Sequence, residues 1–514
     1  MRRVLLTGAT TSLLVVGALV PTAVAHEDEG CSPRPDHVPV CPADAPAETA
    51  TFLDPTASVS GADHVSLGEQ VYVGPFAEFL ASEEAPISIG AESDVQDNVL
   101  VAGSHELAGG HGSCTPTPGG FPVCPADGSA ETTSFLDPTV LIDGAEHVSL
   151  GERVYVGPFA ELRASENAPI SIGAESDAQD NVLILGSPDP AGGHAGAPTG
   201  RQAEPGVEIG ERVIMAHGVS VIGPAVIGIG GGSIPADPDD DQEVFLSFGA
   251  QVDGAILEQN TGVSVLGRVG PGVTLPSGML VLPGKNVTTN EEAGDPAMGK
   301  VRPINEADVA FNEAVIEVNV AFAREYTELY REEPNAVRGV SVDPGHTEFN
   351  PDRDLPRFAG VEQAVPGFRN RVIGDVDLAD RFWQFHSTSG NRIALRADEG
   401  EPFVLGHVES MGDDVIFHAL EHTDLHIGDG VRVGAGAIVH GGGRVIAEGI
   451  PDEPTRVGND VTLHDESIVF RSTIGDGAVI GERSAVVGTD LPPGTVVPAH
   501  TIILDGEVFG PVEW

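Results

Sequence analysis

The chain has 514 residues, with 78 Asp plus Glu against 26 Lys plus Arg, and a formal net charge of −52. That balance excludes a nucleic-acid binder, which needs a cationic patch for phosphates, while 40% hydrophobic residues exclude a disordered chain. Aromatics at 5% against 66 Gly point to thin, repetitive β-structure rather than one large core, and the length allows two to four domains. Only Lys285 and Lys300 are lysines. Dense carboxylates keep a surface hydrated and are screened by ions, so this composition fits a halophilic habitat. A GC-rich genome explains Arg over Lys but not the acidic excess.

Arg2 and Arg3 precede an apolar run over 4–20, and Ala23, Val24 and Ala25 supply a small-residue cleavage site. Residues 1–25 therefore read as a secretory signal peptide, and the mature protein is expected to be secreted. No later stretch reaches the ~18 uninterrupted apolar residues of a membrane span, so no membrane association is expected. The next segment, 26–50, carries Cys31 and Cys41; a second, 105–134, carries Cys114 and Cys124 and reads as a linker. In an oxidising compartment these imply two local disulfides, although four cysteines permit three connectivities. The CxxC spacing of zinc sites is missing.

The segment from Cys31 to Leu100 recurs from Cys114 to Leu183, at a constant offset of 114 − 31 = 83. The first copy stops at a Gly-rich break, leaving a partial module over 51–104; the second continues as a module over 135–302. A diverged third copy opens near Val372 with "VIGDVDL" and fills 372–514; its "RADEGEPFVLG" echoes "RASENAPISIG" at 163–173. Inside the copies aliphatic residues recur every six positions. Leu67, Val73 and Phe79 form one series; Ile209, Met215, Val221 and Ile227 another; Leu405, Met411 and Phe417 a third; Ile427, Val433, Val439 and Val445 a fourth; Val457, Leu463 and Val469 a fifth. A hexapeptide period predicts a parallel β-helix whose aliphatic residues fill a narrow interior that an aromatic would overfill. The fold class expected is mainly β, with one long helix over 303–332. There Val309, Ile316, Val320, Ala323 and Tyr330 keep helical spacing, and Pro334 ends it. A Pro- and charge-rich linker follows over 333–371.

Among 17 histidines, three stand out by position. His418 and His440 follow the interior Phe417 and Val439, so on successive coils they stand side by side on one face, as metal ligands require. The third, His217, lies in "VIMAHGVSVIGPA" of the middle module. Against these stands "HALEHTDLH", which on a helix would align His418, His422 and His426; the hexapeptide rhythm favours strands.

The chain resembles the gamma-class carbonic anhydrases, a family of left-handed parallel β-helices that form trimers with metal sites between subunits. The likeness is carried by "DPTV", "RASENAPI", "SDAQDNV", "VIMAHGVSVIGPA", "NEAVIEVNVAF", "LRADEGEPF" and "VIFHALE". It implies a metal held by one His of a "HALE"-like segment and two His of an "AHxxxxH" segment, one of them from the neighbouring subunit. Neither module here has the whole set. The middle module keeps His217 but has Leu185 and Ile222 at the other two positions; the C-terminal module keeps His418 and His440 but has Ala435. The losses are complementary, so His217, His418 and His440 restore one site across an interface.

By the same resemblance Asp398, Glu399 and Glu421 match acidic residues at the site, the glutamates being candidates for proton transfer. Gln179 matches a glutamine near bound solvent. Arg163 and Arg396 match an interface arginine, with Asp180 and Asp413 as candidate partners. The family's chemistry would be hydration of CO2 to bicarbonate by a water whose pKa falls to about 7 on a metal with three His ligands. Zn(2+) is the expected ion, with Fe or Co suited to the same ligands. Two other functions share the scaffold: a non-catalytic assembly protein, and a hexapeptide acyltransferase, which export disfavours. The partial module, with Leu80 and Ala102 at the Arg and His positions, cannot host a site; it either completes an intramolecular pseudo-trimer or leaves the chain to form a homo-oligomer.

Overall fold

Hexapeptide spacing sends every sixth side chain to one side of a short strand, and three such strands per turn wrap into a tube. In the computed structural model this is what the chain does. The structure describes residues 131–187, 206–229, 243–332, 370–398 apart from 375 and 381, 403–419, 423–442 and 454–514, with short stretches around the strands of 40–102, at 114–116, 122–126, 128–130 and 341–342. The signal segment 1–25, Cys31 and linker residues 343–369 lie outside the described residues.

Residues 1–106 form one unit and 107–514 another. In the first, Ser58–Ser60, Glu78–Leu80 and Leu100–Ala102 stack in parallel. Thr51–Leu53, Tyr72–Val73 and Asp94–Val95 do the same on a second face, and Val65–Leu67 pairs with Ile87–Ile89 on a third. These make three coils of β-helix.

The second unit holds two longer left-handed β-helices. The middle one has a nine-stranded, a seven-stranded and a six-stranded sheet; the C-terminal one has nine, six and five strands. Strict register puts like on like: Ile184, Val221, Val252 and Val269 stack inside the middle tube, and Leu395, Phe417, Val439 and Val469 inside the C-terminal one. All eight are fully buried. At about 1.5–3 kcal/mol per aliphatic side chain, these columns are the main source of stability. Coils turn tightly enough that a Cβ on Gly173 would lie 2.4 Å from the carbonyl of Gly210 in the next coil, which is why glycine follows the aliphatic residues. Aromatics do fit the C-terminal interior, contrary to expectation. Phe403 and Phe417 are completely buried there, because Ala397, Ala419 and Ala437 of the same cluster leave the volume they need.

A tube has open ends, whose unpaired backbone groups invite foreign strands. Here antiparallel strands close them. Val123–Cys124 lies across Ser134–Leu136 at the top of the middle tube, and Val301–Pro303 across Met279–Val281 at its foot. Glu507–Pro511 closes the C-terminal tube against Thr501–Leu504. Cys114 bridges to Leu150 on a different face, and its disulfide to Cys124 staples the cap across the mouth. The described residues around Cys114 and Cys124 thus cap the middle tube. Strand Ser341–Val342 and helix Phe382–Thr388 were not legible in the sequence.

Helix Glu306–Glu332 lies over the first coils of the middle tube. Its Phe322 and Tyr326 pack on Phe135 and Tyr155 and on Ile373 of the C-terminal module. The two tubes meet along a largely apolar seam. On the C-terminal side Ile416, Ile438, Ile468 and Ile502 form part of one register column. They pack on Ala216, Phe248, Val265 and Leu266 of the middle module. Trp514 completes the seam, its indole N–H donating to Leu266 O at 2.8 Å. Among the described residues no helix is long and apolar enough to cross a membrane.

Candidate metal centre

The seam brings the three histidines together. His418 and His440 are register partners on adjacent strands, in the column Arg396, His418, His440, Phe470. Parallel pairing without a bulge puts both imidazoles on the outer face. His217 follows strand Val213–Met215 of the middle module and enters from the other side of the seam. One nitrogen from each ring lies within 4.8 Å of the others, and His217 Nε2 is 2.9 Å from His418 Nδ1. None of the three is more than 5% exposed.

The opposite ring nitrogens each face an acceptor. His217 Nδ1 is 3.5 Å from Asp180 Oδ2, His418 Nε2 is 3.7 Å from Asp398 Oδ1, and His440 Nδ1 is 2.5 Å from Gly441 O. Of these only the His440 contact is a hydrogen bond, which places that ring's proton on Nδ1 and turns its Nε2 lone pair to the centre; Asp180 and Asp398 stand behind the other two rings as carboxylates toward which their far nitrogens point. Burial lowers the pKa of all three, that of His418 to about 3; Arg396 acts in the same direction on each and His418 does so on His217 and His440, while Asp398 opposes it at His418. The imidazoles are neutral at pH 7. Three neutral, convergent, buried nitrogens fit a divalent metal with tetrahedral preference.

Beneath the histidines lies a buried ion cluster. Arg396, 1% exposed, donates from Nη1 to Asp180 Oδ1 across the seam at 3.1 Å and from Nη2 to Asp398 Oδ2 at 2.7 Å. Its guanidinium also stands 5.2 Å from the Phe322 ring centre and 5.7 Å from that of Tyr155. Tyr326 Oη donates to Asp398 Oδ2 at 2.6 Å, tying the helix to the cluster. Burial raises Asp180 to about 7 against the pull of Arg396. Asp398 is lowered: burial would raise it, but Arg396 and His418 outweigh that. A cavity of ≈ 70 Å³ opens beside the histidines, walled by Phe245, Phe248, Val315, Val318 and Phe470, with Gln179 and Asn319 as its uncharged polar groups.

Of the residues singled out in the sequence, His217, His418, His440, Asp398, Arg396 and Gln179 thus converge. Glu399, Glu421 and His422 lie outside the described residues. Arg163 and Asp413 do not meet. Arg163 is exposed and pairs with Glu161, while Asp413 Oδ1 accepts from Asn391 N at 2.8 Å. The reason is connectivity: the middle module turns its Asp180 face, not its Arg163 face, to the seam. Leu185 and Ile222 occupy the register positions of His418 and His440 in the column Arg163, Leu185, Ile222, Asp253. At the two ends of "HALEHTDLH", His418 lies on strand Ile416–His418 and His426 on strand Leu425–Ile427, beside Asp424. Tyr326 and Asn319 were missed. The helical spacing marked that face as buried, but nothing local told a polar partner from core.

Fold and site together define a parallel β-helix protein with a buried three-histidine centre at the seam of two modules. No family model matches the chain. It is 28% identical to a carbonic anhydrase of Methanosarcina thermophila over 197 residues, 33% of this chain and 72% of that protein. It is 29% identical over 179 residues to the carboxysome assembly protein CcmM of Nostoc, and 30% over 142 residues to that of Synechococcus elongatus, spanning less than a third of either relative's length. A hexapeptide transferase family protein from Anaplasma phagocytophilum has a TM-score of 0.23 at 16% identity, covering 38% of this chain and 93% of its own; the fold assignment rests on strand register instead. The chain is a multi-module relative of the gamma-class carbonic anhydrases.

Proposed function

We propose that this protein hydrates CO2 reversibly to bicarbonate and a proton at one metal centre, held by His217, His418 and His440. The observation that carries the proposal is the convergence of three neutral, buried imidazoles from two modules that each lack part of the set. A divalent ion bound there supplies an acidified water as nucleophile at neutral pH. Zn(2+) is the ion proposed, with Fe or Co as chemical equivalents.

The chain's own residues do the rest. The aromatic and aliphatic walls of the cavity suit a small apolar gas and exclude bulk water, which strengthens every electrostatic contact inside. Gln179, bordering that space, offers an amide to orient solvent or product. Arg396, Asp180 and Asp398 hold the two halves of the centre in place. Glu399 and Glu421 are proposed as carriers of the released proton. The signal segment and the Cys114–Cys124 disulfide support export, and the −52 charge supports a saline habitat.

A second reading is a non-catalytic assembly protein. It is favoured by the carboxysome assembly relatives and by the middle module's Leu185 and Ile222. Metal analysis and CO2-hydration kinetics separate the two. The catalytic reading expects close to one metal per chain and loss of hydration in both His217→Ala and His440→Ala, although these lie in different modules. Hydration surviving His217→Ala would defeat the seam assignment, and a metal-free, inactive wild type would leave the scaffold reading.

A further inference from the structure

Apart from the neutral histidines, the one ionisable residue lining the cavity is Arg396, and its guanidinium is committed to Asp180 and Asp398. The other polar groups there, Gln179 and Asn319, are uncharged. Such a space receives a neutral gas readily. An anion in it is costly to hold away from water unless a cation stands close.

A second cation packs against the aromatic wall. Arg471 follows Phe470, which continues the column of Arg396, His418 and His440. Its guanidinium carbon lies 4.6 Å from the ring centre of Phe470 and 5.8 Å from that of Phe311. Both rings line the cavity, one from the C-terminal module and one from the helix after the middle module, so Arg471 bridges two of its walls. A guanidinium stacks on ring faces in this way because it is planar and more weakly hydrated than an ammonium. Its charge reaches the centre, being among the causes that lower the pKa of His440. The side chain runs past Gly442 of the preceding coil, where a Cβ would lie 2.5 Å from Arg471 Cγ and Nε and 2.8 Å from the edge of Phe470.

We propose that Arg471 binds an anion at the aromatic edge of this cavity, its planar guanidinium holding a planar, singly charged trioxo anion. Two parallel N–H donors match two oxygens of such an anion, a fit that a spherical ion cannot reproduce. That the anion is bicarbonate rests on the hydration reading.

Calorimetric titration of the purified, metal-loaded protein with nitrate tests this at fixed ionic strength. Nitrate has the shape and charge of bicarbonate and is not turned over; chloride is the spherical control. The wild type is expected to bind nitrate. Arg471→Gln should weaken nitrate about tenfold, the loss of one charge-assisted contact, and chloride by less. Arg471→Lys should recover only part of that, since it keeps the charge but not the fork. Gly442→Ala keeps the arginine but displaces it and should also weaken nitrate, so the test does not hang on how one variant folds. A wild type that binds no nitrate, an affinity unchanged in Arg471→Gln, or equal losses for nitrate and chloride would each overturn the proposal. CO2 hydration by the wild type is measured separately. A protein that binds nitrate through Arg471 without hydrating CO2 would keep the anion site and lose the hydration reading, whereas a hydratase whose nitrate affinity ignores Arg471 would lose only the anion site.

Discussion

Arg396→Met tests whether the buried ion cluster holds the seam together. The substitution keeps side-chain length and removes the cation between two completely buried carboxylates. Breaking a buried pair costs about 3–5 kcal/mol, because a charge is left without its partner. Asp180 makes the cost depend on pH. Its folded pKa, raised to about 7, means that its contribution is full below the unfolded value and is lost as pH rises through 7. Without Arg396 that pKa climbs further, so the variant keeps losing stability above pH 7 where the wild type has levelled off. One pH unit of extra proton binding is about 1.4 kcal/mol. The loss should therefore be about 1.4 kcal/mol larger at pH 8 than at pH 6. Trp514, whose indole crosses the seam to Leu266 O, reports the transition in urea if Trp383→Phe removes the second indole. Ionic strength must be held constant, since screening alters every charge term in so acidic a chain. A loss under about 1 kcal/mol, or one equal at the two pH values, would refute the reasoning.

The three histidines set an opposite trend. Their folded pKa values are depressed, so metal-free protein should lose stability as pH falls below about 6.5, by about 1.4 kcal/mol per pH unit for each histidine, Asp180 offsetting one of the three. Thermal melts of apoprotein at pH 7 and 5 check this, and equal midpoints would contradict it. Cys114→Ser opens a loop of sequence separation 10 and should cost about 3 kcal/mol by loop entropy, read from thermal melts with and without reductant. Glu513→Gln loosens a clasp in which Lys285 Nζ is 2.8 Å and Lys300 Nζ 3.7 Å from the carboxylate; because the site is partly exposed, the loss should stay under about 1 kcal/mol and shrink with added salt.

Much of this was legible because a β-helix is written one residue at a time. A fixed period of six places Ile209, Met215, Val221 and Ile227 inside without reference to anything distant, and equal steps past the interior residue put His418 beside His440. The pairing of His217 with them depends on which face meets which, and there the resemblance to the gamma-class carbonic anhydrases supplied the match. What stayed hidden was decided by neighbours rather than by period. Phe417 is tolerated because of Ala397 and Ala419, which belong to the same cluster but not to the same hexapeptide. The cap at Val123–Cys124 exists because a tube needs closing, and no local pattern announces it. Arg163 and Arg396 look alike in sequence; only the seam shows that one is buried and the other exposed.

Among the described residues the three-histidine site lies at the seam of the two modules, and the middle module shows why a second cannot be recovered easily. Leu185 and Ile222 are register partners, so Leu185→His with Ile222→His recreates the two-imidazole column of His418 and His440. A third ligand would still be needed from whatever faces that column. Ala435 stands at the His217 position of the C-terminal module, and the first copy ends before that position, since 217 − 83 = 134 lies beyond Ala102. Two histidines leave a divalent ion short of the three protein ligands that hold it in catalytic sites. The double variant should therefore keep the metal content of the wild type, measured by elemental analysis after dialysis against a weak chelator. A second equivalent retained per chain would mean that a ligand reaches the Leu185 face from elsewhere, and the account of one centre at one seam would fail.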